Sequence, residues 1–289
     1  MGSVVIAAHN EALVIARCLL ALSPAVLAGD LDVIVVCNGC VDSTADIARS
    51  FTGVRVVEIA VASKTAALRA GDVIARRGPR IYLDADVVMT SRAALDVMAE
   101  LSHGPALGGR PPVRFETAGS EWAVQSWYRI RVQLPSIQNV LWGAGTYALS
   151  TAGRARFTEF PNIVSDDLFI DNLIGTDERV IVSTDPVIVH APRRSVDLVK
   201  ILKRTYRTQS DVPLTARATP VSASQRGQLA DVWALVRADP RQICDVVLYV
   251  AMITLARVQA KLAPAGTRWE RDTSSRETLL PGAKITPAN

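Results

Sequence analysis

The 289-residue chain has only four cysteines and three histidines. Cys18 and Cys244 form no second Cys-x-x-Cys beside Cys37 and Cys40, which argues against a zinc module. The N-terminus runs from Met1-Gly2-Ser3 straight into Val4–Ala8, with no basic segment, long apolar stretch or cleavage site. No signal peptide is therefore expected, and the few cysteines read as reduced thiols in a cytoplasmic protein. No long block of Lys and Arg occurs, and 32 basic against 28 acidic side chains give a net charge of +4, so nucleic acid is not an expected partner. The most apolar late run, Ile243–Ala256, carries Asp245 and is about 14 residues long, short of the roughly 20 that a membrane span needs. It reads as a buried or interfacial helix. No Gly-x-Gly-x-x-Gly follows the first apolar run, which removes the usual dinucleotide fingerprint, and no repeat of fixed length recurs.

What is present is an alternation. Hydrophobic residues make up 49% of the chain, ample for a large core. Val4–Ala8, Leu31–Val36, Val54–Ile59 and Arg80–Leu83 are short apolar runs, separated by stretches with helical spacing. A capping box, Ser43-Thr44-Ala45-Asp46, is expected to open the second of those helices. Strands alternating with helices predict an α/β fold with a mostly parallel central sheet and helices on both faces. Right-handed crossovers then bring the strand ends to one edge. His9–Glu11, Cys37–Asp42, Ser63-Lys64 and Asp84–Asp86 would converge there on one crevice suited to a mononucleotide. Asn10 and Glu11 can hydrogen-bond a base or ribose, Lys64 can reach a phosphate, and Asp86 can ligate a metal that bridges phosphates. Taken alone, Asp84-Ala85-Asp86 reads sooner as a turn or helix cap than as a metal site, because Asp is common in turns for local reasons.

After Ser102 the alternation loosens. Ala106–Arg110 and Gly143–Leu149 read as strands, the latter opened by Gly143 and Gly145, which let backbone approach a ligand closely. Glu121–Val132 reads as an amphipathic helix with Trp122 and Trp127, whose rings could line an acceptor cleft or pack in the core. Asp166-Asp167 precede another helical pattern. Arg179–Ser183 and Val187–His190 read as short strands and Ser195–Gln209 as a basic helix. Arg193 and Arg194 are candidate diphosphate clamps, because a guanidinium offers a planar fork of donors. A linker is expected from Asp211 to Ser224, then helices over Gln225–Arg237 and Arg241–Leu262, and a tail with Trp269, Arg271, Asp272 and Arg276 that has no clear period. The organisation expected is 1–102 as a nucleotide-sugar-binding half, 103–210 as an acceptor-binding half of the same domain, and 211–289 as a linker, helical extension and tail.

The order of these segments resembles the family 2 glycosyltransferases, which have the GT-A fold. Ala8-His9-Asn10-Glu11 is similar to the family's opening motif, Asn38–Thr44 to its Asp-Gly-Ser-x-Asp-x-Thr segment, and Lys64 with Ala67–Gly71 to its Lys-x-x-Ala-Leu-Asn-x-Gly element. Asp84-Ala85-Asp86 resembles the metal-binding Asp-x-Asp, and Asp166-Asp167 the Glu-Asp pair with the catalytic base. The resemblance covers residues 3 to about 210. Cys37 stands where the family often has an acidic residue, and Asp166 replaces the usual Glu. The Gln-x-x-Arg-Trp of processive members is absent near Tyr206-Arg207, which favours transfer of a single sugar.

The resemblance implies an inverting displacement in which Asp167 is the base and Asp86 holds Mn2+ or Mg2+, with His190 as a further metal ligand or a merely structural residue. A nucleotide sugar, UDP-linked by preference, is the expected donor; a small molecule, glycan or lipid-linked molecule is the acceptor. Peripheral membrane contact and a homodimer through 225–262 are the further partner expectations. Two rival readings are a GT-A nucleotidyltransferase and a thioredoxin-like redox site at Cys37 and Cys40.

Overall fold

The computed structural model describes residues 2–208 and 221–262. In chain order the elements are β1 (Ser3–Ala8), α1 (Ile15–Leu27), β2 (Asp32–Asn38), α2 (Thr44–Arg49), β3 (Val54–Ile59), α3 (Lys64–Ile74), β4 (Arg80–Asp84) and α4 (Ser91–His103). Then follow β5 (Gly108–Arg110), β6 (Val113–Glu116), α5 (Trp122–Arg131), α6 (Pro135–Gln138), β7 (Thr146–Leu149), α7 (Thr151–Arg154) and α8 (Asp166–Leu173). The last are β8 (Arg179–Ile181), β9 (Val187–His190), α9 (Ser195–Thr208), α10 (Val221–Ala238) and α11 (Ile243–Leu262). The expected linker at 211–220, Gln209 and the tail residues Trp269, Arg271, Asp272 and Arg276 lie outside the described residues, and α10 already includes 221–224.

Seven strands form the main sheet in the order β3-β2-β1-β4-β7-β5-β8. The first four are parallel, as the strand–helix alternation predicts, while β7 runs antiparallel to both β4 and β5. The sheet therefore continues across the boundary near 102. Side chains alternate across a strand, and the two cores follow from that. Val4, Ile6, Val33 and Val35 pack with α1 and α4, while Val5, Ile34 and Val36 face α3 and α8. A third core is helical: Trp127 and Ile130 of α5, Leu198 and Leu202 of α9, and Tyr249, Met252 and Ile253 of α11.

Two local expectations change. The N-cap Ser43 makes no side-chain cap bond; Asp42 accepts the Thr44 amide instead, at 3.0 Å. Gly143–Gly145 is a turn rather than strand, with φ of 73° and 65° at its two glycines.

The late apolar helix is also longer than its most apolar stretch suggests. Pro240–Leu262 spans 23 residues and is long and apolar enough to cross a membrane by length and composition, with 28% of its most apolar window buried in the fold. Tyr249, Met252, Ile253 and Ala256 form its packed face, and Val247, Leu255, Val258 and Leu262 its exposed face. Asp245 accepts Arg129 Nε at 3.0 Å and so ties the start of α11 to α5.

Candidate active site

A cleft of about 670 Å3 opens at the carboxyl ends of the parallel strands, where ligands collect in such sheets. His9, Glu11, Asn38, Lys64, Asp84, Ala85, Asp86, Gly143, Gly145, Asp166, Asp167 and His190 all line it.

Its centre is a charged triad. Lys64 opens α3 behind Ser63, whose hydroxyl accepts the Ala66 amide. Its ammonium lies 2.7 Å from Asp84 Oδ1 at the end of β4 and 3.0 Å from Asp166 Oδ1 at the start of α8. Tyr147 of β7 donates to Asp166 Oδ2 at 2.8 Å, so both oxygens of this buried carboxylate are engaged. Burial works against the Lys64 charge, but Asp166, Asp84 and Asp167 outweigh it and hold the ammonium above its ordinary range. Burial likewise pushes the Asp166 carboxyl up, with Lys64 opposing. Lys64 thus spans two carboxylates rather than standing open to a phosphate.

Asp167, one position further on α8, faces the cleft. Its Oδ2 accepts the Gly143 amide at 2.8 Å and its Oδ1 the Leu168 amide at 2.8 Å. Gly145 carries the neighbouring turn: its carbonyl accepts the Asp84 amide at 2.8 Å, and a Cβ there would lie 2.4 Å from Val87 Cγ2. A side chain at 145 would therefore displace the Asp84–Asp86 segment.

Asp86 and His190 come together through the backbone. Val88 and Ile188 exchange amide–carbonyl bonds of 3.1 and 2.9 Å. Continuing that antiparallel register by two residues sets Asp86 opposite His190. Burial and the Arg17 guanidinium depress the His190 pKa, Glu116 and Asp86 opposing, which favours the neutral imidazole that binds metals. Among the described residues no three His, Cys, Asp or Glu side chains gather into a metal cage. A carboxylate and an imidazole that both line the cleft nonetheless fit a divalent cation completed by phosphate oxygens.

At the β1 end, His9 Nδ1 meets the Asn38 carbonyl, and Asn38 Nδ2 donates to the Ala8 carbonyl at 2.9 Å. Ala8 is buried. Asn10, at φ 53°, accepts the Val41 amide at 2.8 Å and so braces the loop after β2. Neither Ala8 nor Asn10 lines the cleft.

Several expected residues lie elsewhere. Trp122 is 60% exposed and outside the cleft lining. Trp127 lines the cleft from the helical core, its ring 5.4 Å from Tyr249. Arg193 and Arg194 are not among the lining residues; Arg194 Nε donates to Asp197 Oδ2 at 2.8 Å, across the first turn of α9. Cys37 is buried, and burial, with Cys40 beside it, pushes its thiol up to about 12. A redox dithiol needs an accessible, acidic thiol, so the thioredoxin-like reading fails on this geometry.

The sequence reading did not include the cleft's far wall: Tyr128 and Arg131 of α5, Trp142, Tyr206 of α9, and Tyr249 and Arg257 of α11. Arg131 follows Trp127 by one helical turn, the spacing that could have put it on the same face.

The same fold occurs in known proteins. A mannosyltransferase from Pyrobaculum calidifontis in complex with GDP-Man and Mn2+ matches with TM-score 0.64 at 14% identity, over 90% of this chain and 86% of that one. Glucosyl-3-phosphoglycerate synthase from Mycobacterium tuberculosis, in complex with Mn2+, UDP and glucosyl-3-phosphoglycerate, matches with TM-score 0.52 at 20% identity, over 74% and 80%. At such identities the likeness establishes the fold, which is GT-A. No curated protein matches the chain in sequence. The family described as Glycosyl transferase family 2 matches residues 3–156, just over half of the chain, and with a GT-A sheet beneath those residues the chain belongs to glycosyl transferase family 2.

Proposed function

We propose that this glycosyltransferase is an inverting enzyme that moves one sugar from a nucleoside diphosphate sugar to an acceptor hydroxyl, with Asp167 as general base. The observation that carries the reading is the Asp167 carboxylate: it faces the cleft, is oriented by two backbone amides, and lies one residue from a buried Asp166 held by Lys64 and Tyr147. A base held in this way needs little reorganisation to accept a proton. The acceptor oxygen bonds to the anomeric carbon from the face opposite the leaving diphosphate, and its proton passes to Asp167. Lys64 fixes Asp84 and Asp166 in register, while His9, Glu11 and Asn38 border the volume for the base and ribose.

Asp86 and His190 would hold Mn2+ or Mg2+, which supplies Lewis-acid neutralisation of charge on the departing diphosphate. A UDP-linked donor remains the preference; the GDP-Man bound to the Pyrobaculum mannosyltransferase supports a GDP-linked one as the second candidate.

Peripheral membrane contact is proposed for the exposed apolar face of α11, where Val247, Leu255, Val258 and Leu262 stand in solvent. Flotation of the full chain with vesicles, lost in Val247→Asp/Leu255→Asp, is the expected result. A dimeric mass without vesicle binding would assign that face to a second copy.

Asp167→Asn tests the central step. Donor binding is expected to persist while transfer, or hydrolysis of the donor to free sugar, falls at least a hundredfold, the general range for a lost acid–base group. Loss of donor binding in that variant would make Asp167 a donor-binding or structural residue instead.

A further inference from the structure

The far end of the cleft holds two arginines with no part in the reading above. Arg131, the last residue of α5, is only 9% exposed. Its guanidinium carbon lies 5.3 Å from the ring centroids of Trp127 and Trp142 and 5.9 Å from that of Phe115. Among the described residues it meets no carboxylate and makes no hydrogen bond. Nearby Arg110, by contrast, donates to the carbonyls of Pro111, Gln138 and Val140. Arg257 of α11 stacks its guanidinium 4.8 Å from the Tyr206 ring, and its buried Nε has no hydrogen-bond partner.

These side chains share one volume. Burial raises the pKa of both Tyr206 and Tyr249, and both arginines act on each of those hydroxyls. Asp231, which also acts on Tyr249, has Oδ2 engaged by the Ser136 amide at 2.8 Å. The volume adjoins the base as well: a Cβ on Gly143 would lie 2.8 Å from Arg131 Nη2, and the Gly143 amide is the one held by Asp167.

Aromatic faces stabilise a guanidinium but take none of its N–H groups as an oxygen does. Buried donors left unmade are costly, and a functional pocket is where they persist. Among the described residues neither guanidinium is paired with a carboxylate, which asks for an anion, and their planar forks suit phosphate or carboxylate oxygens.

We infer that the acceptor is an anionic hydroxyl compound, whose phosphate or carboxylate is held by Arg131 and Arg257 so that its hydroxyl meets Asp167. This rests on the glycosyltransferase reading for the step itself. The acceptor oxygen forms the bond to the anomeric carbon as the carbon–diphosphate bond breaks. The electron pair leaves with the nucleoside diphosphate, and the hydroxyl proton goes to Asp167. Such a group can reach the cleft on a free phosphate ester or on a lipid headgroup. The apolar outer face of α11, whose inner face carries Arg257, is the reason to test the second source.

The test is tryptophan fluorescence of the full chain, because Trp127 and Trp142 flank Arg131. Inorganic phosphate, glycerol 3-phosphate and phosphatidylglycerol vesicles are titrated separately. A saturable response to phosphate is expected, with glycerol 3-phosphate competing if the source is free and only the vesicles competing if it is a lipid. Arg131→Met and Arg257→Met should each weaken phosphate binding by roughly ten- to a hundredfold, Arg131→Lys less. UDP binding with Mn2+ should be unchanged in all three. No saturable response to any of the three probes, or Met variants that bind phosphate as the wild type does, would overturn the inference. Phosphate binding without any binding of UDP- or GDP-sugars would sink the donor reading and leave the anion site standing.

Discussion

Replacing Lys64 by methionine keeps most of the side-chain volume and removes the charge between Asp84 and Asp166. The two carboxylates respond differently. The Asp84 side chain is 37% exposed, so water takes over much of the lost contact, whereas that of Asp166 is 2% exposed and keeps only the Tyr147 hydroxyl. Removing one partner of a buried pair costs about 3–5 kcal/mol. With Tyr147 retained and a route for water past a side chain that is 24% exposed, the expected loss is about 2–3 kcal/mol. At about 2–4 °C per kcal/mol for a domain of this size, the melting temperature falls by about 4–12 °C.

The loss should depend on pH with a definite sign. The Asp166 pKa is already raised by burial and Lys64 opposes that rise, so the variant raises it further. A carboxyl whose folded pKa lies above its unfolded value makes the folded state bind more protons. Its penalty is therefore full above the folded pKa and is relieved as pH falls toward about 4. Thermal unfolding from pH 8 to pH 5 should show the deficit shrinking, and Lys64→Met/Asp166→Asn should recover at least half of it at pH 8. A Lys64→Met protein that unfolds within about 0.5 kcal/mol of the wild type, a surface-like effect, would refute the buried triad. So would a deficit that neither pH nor Asp166→Asn alters.

Gly145→Ala combines a φ of 65° with a Cβ 2.4 Å from Val87 Cγ2; about 1–3 kcal/mol of destabilisation is expected, read by denaturant unfolding, with donor affinity lost beyond that because Asp84 shifts. Asp245 is held below the usual carboxylate range chiefly by its hydrogen bond with Arg129. Its contribution is present above the unfolded pKa near 4 and is lost as pH falls through the lower folded value, so Asp245→Asn should flatten the acid limb of a stability–pH curve. An unaltered acid limb would remove that ion pair from the stability account. Blocking Cys40, the more accessible thiol of its pair, should leave Cys37 unmodified under native conditions in a mass-spectrometric labelling assay; rapid labelling of Cys37 would contradict its burial.

The sheet was legible because β1, β2 and β4 are buried on both faces and read as continuous apolar runs, while the half-buried edge strand β3 keeps a β-branched run broken by Arg55 and Glu58. The same logic located the strand ends, and with them Lys64, Asp84 and Asp86, whereas Asp167 was marked by a carboxylate pair ahead of a helical pattern. Direction is harder to read. Thr146–Leu149 is four buried residues whichever way it runs, and its antiparallel pairing with β4 follows from long-range contacts. The Ser43 capping box did not form: Ser43 makes no side-chain cap bond, and the carboxylate of the preceding Asp42 holds the Thr44 amide at the helix start. Arg131 and Arg257 were illegible. A basic residue near a helix C-terminus reads as solvated and dipole-compatible, and only the packing of α11 across α5 and α9 turns both into the cleft. Arg193 and Arg194 read as diphosphate clamps for their planar guanidinium forks, yet they lie off the cleft lining, at the turn into α9.

The proposed nucleotide-sugar site centres on Asp86. Thermal shift of the full chain with UDP- and GDP-sugars, with Mn2+ and with EDTA, in the wild type and in Asp86→Ala, tests that most directly. The account predicts that at least one nucleotide sugar raises the melting temperature of the wild type with Mn2+, by the amount its occupancy dictates, and that EDTA or Asp86→Ala removes the shift. Stabilisation by none of these donors, or an equal shift in EDTA and in Asp86→Ala, would contradict it.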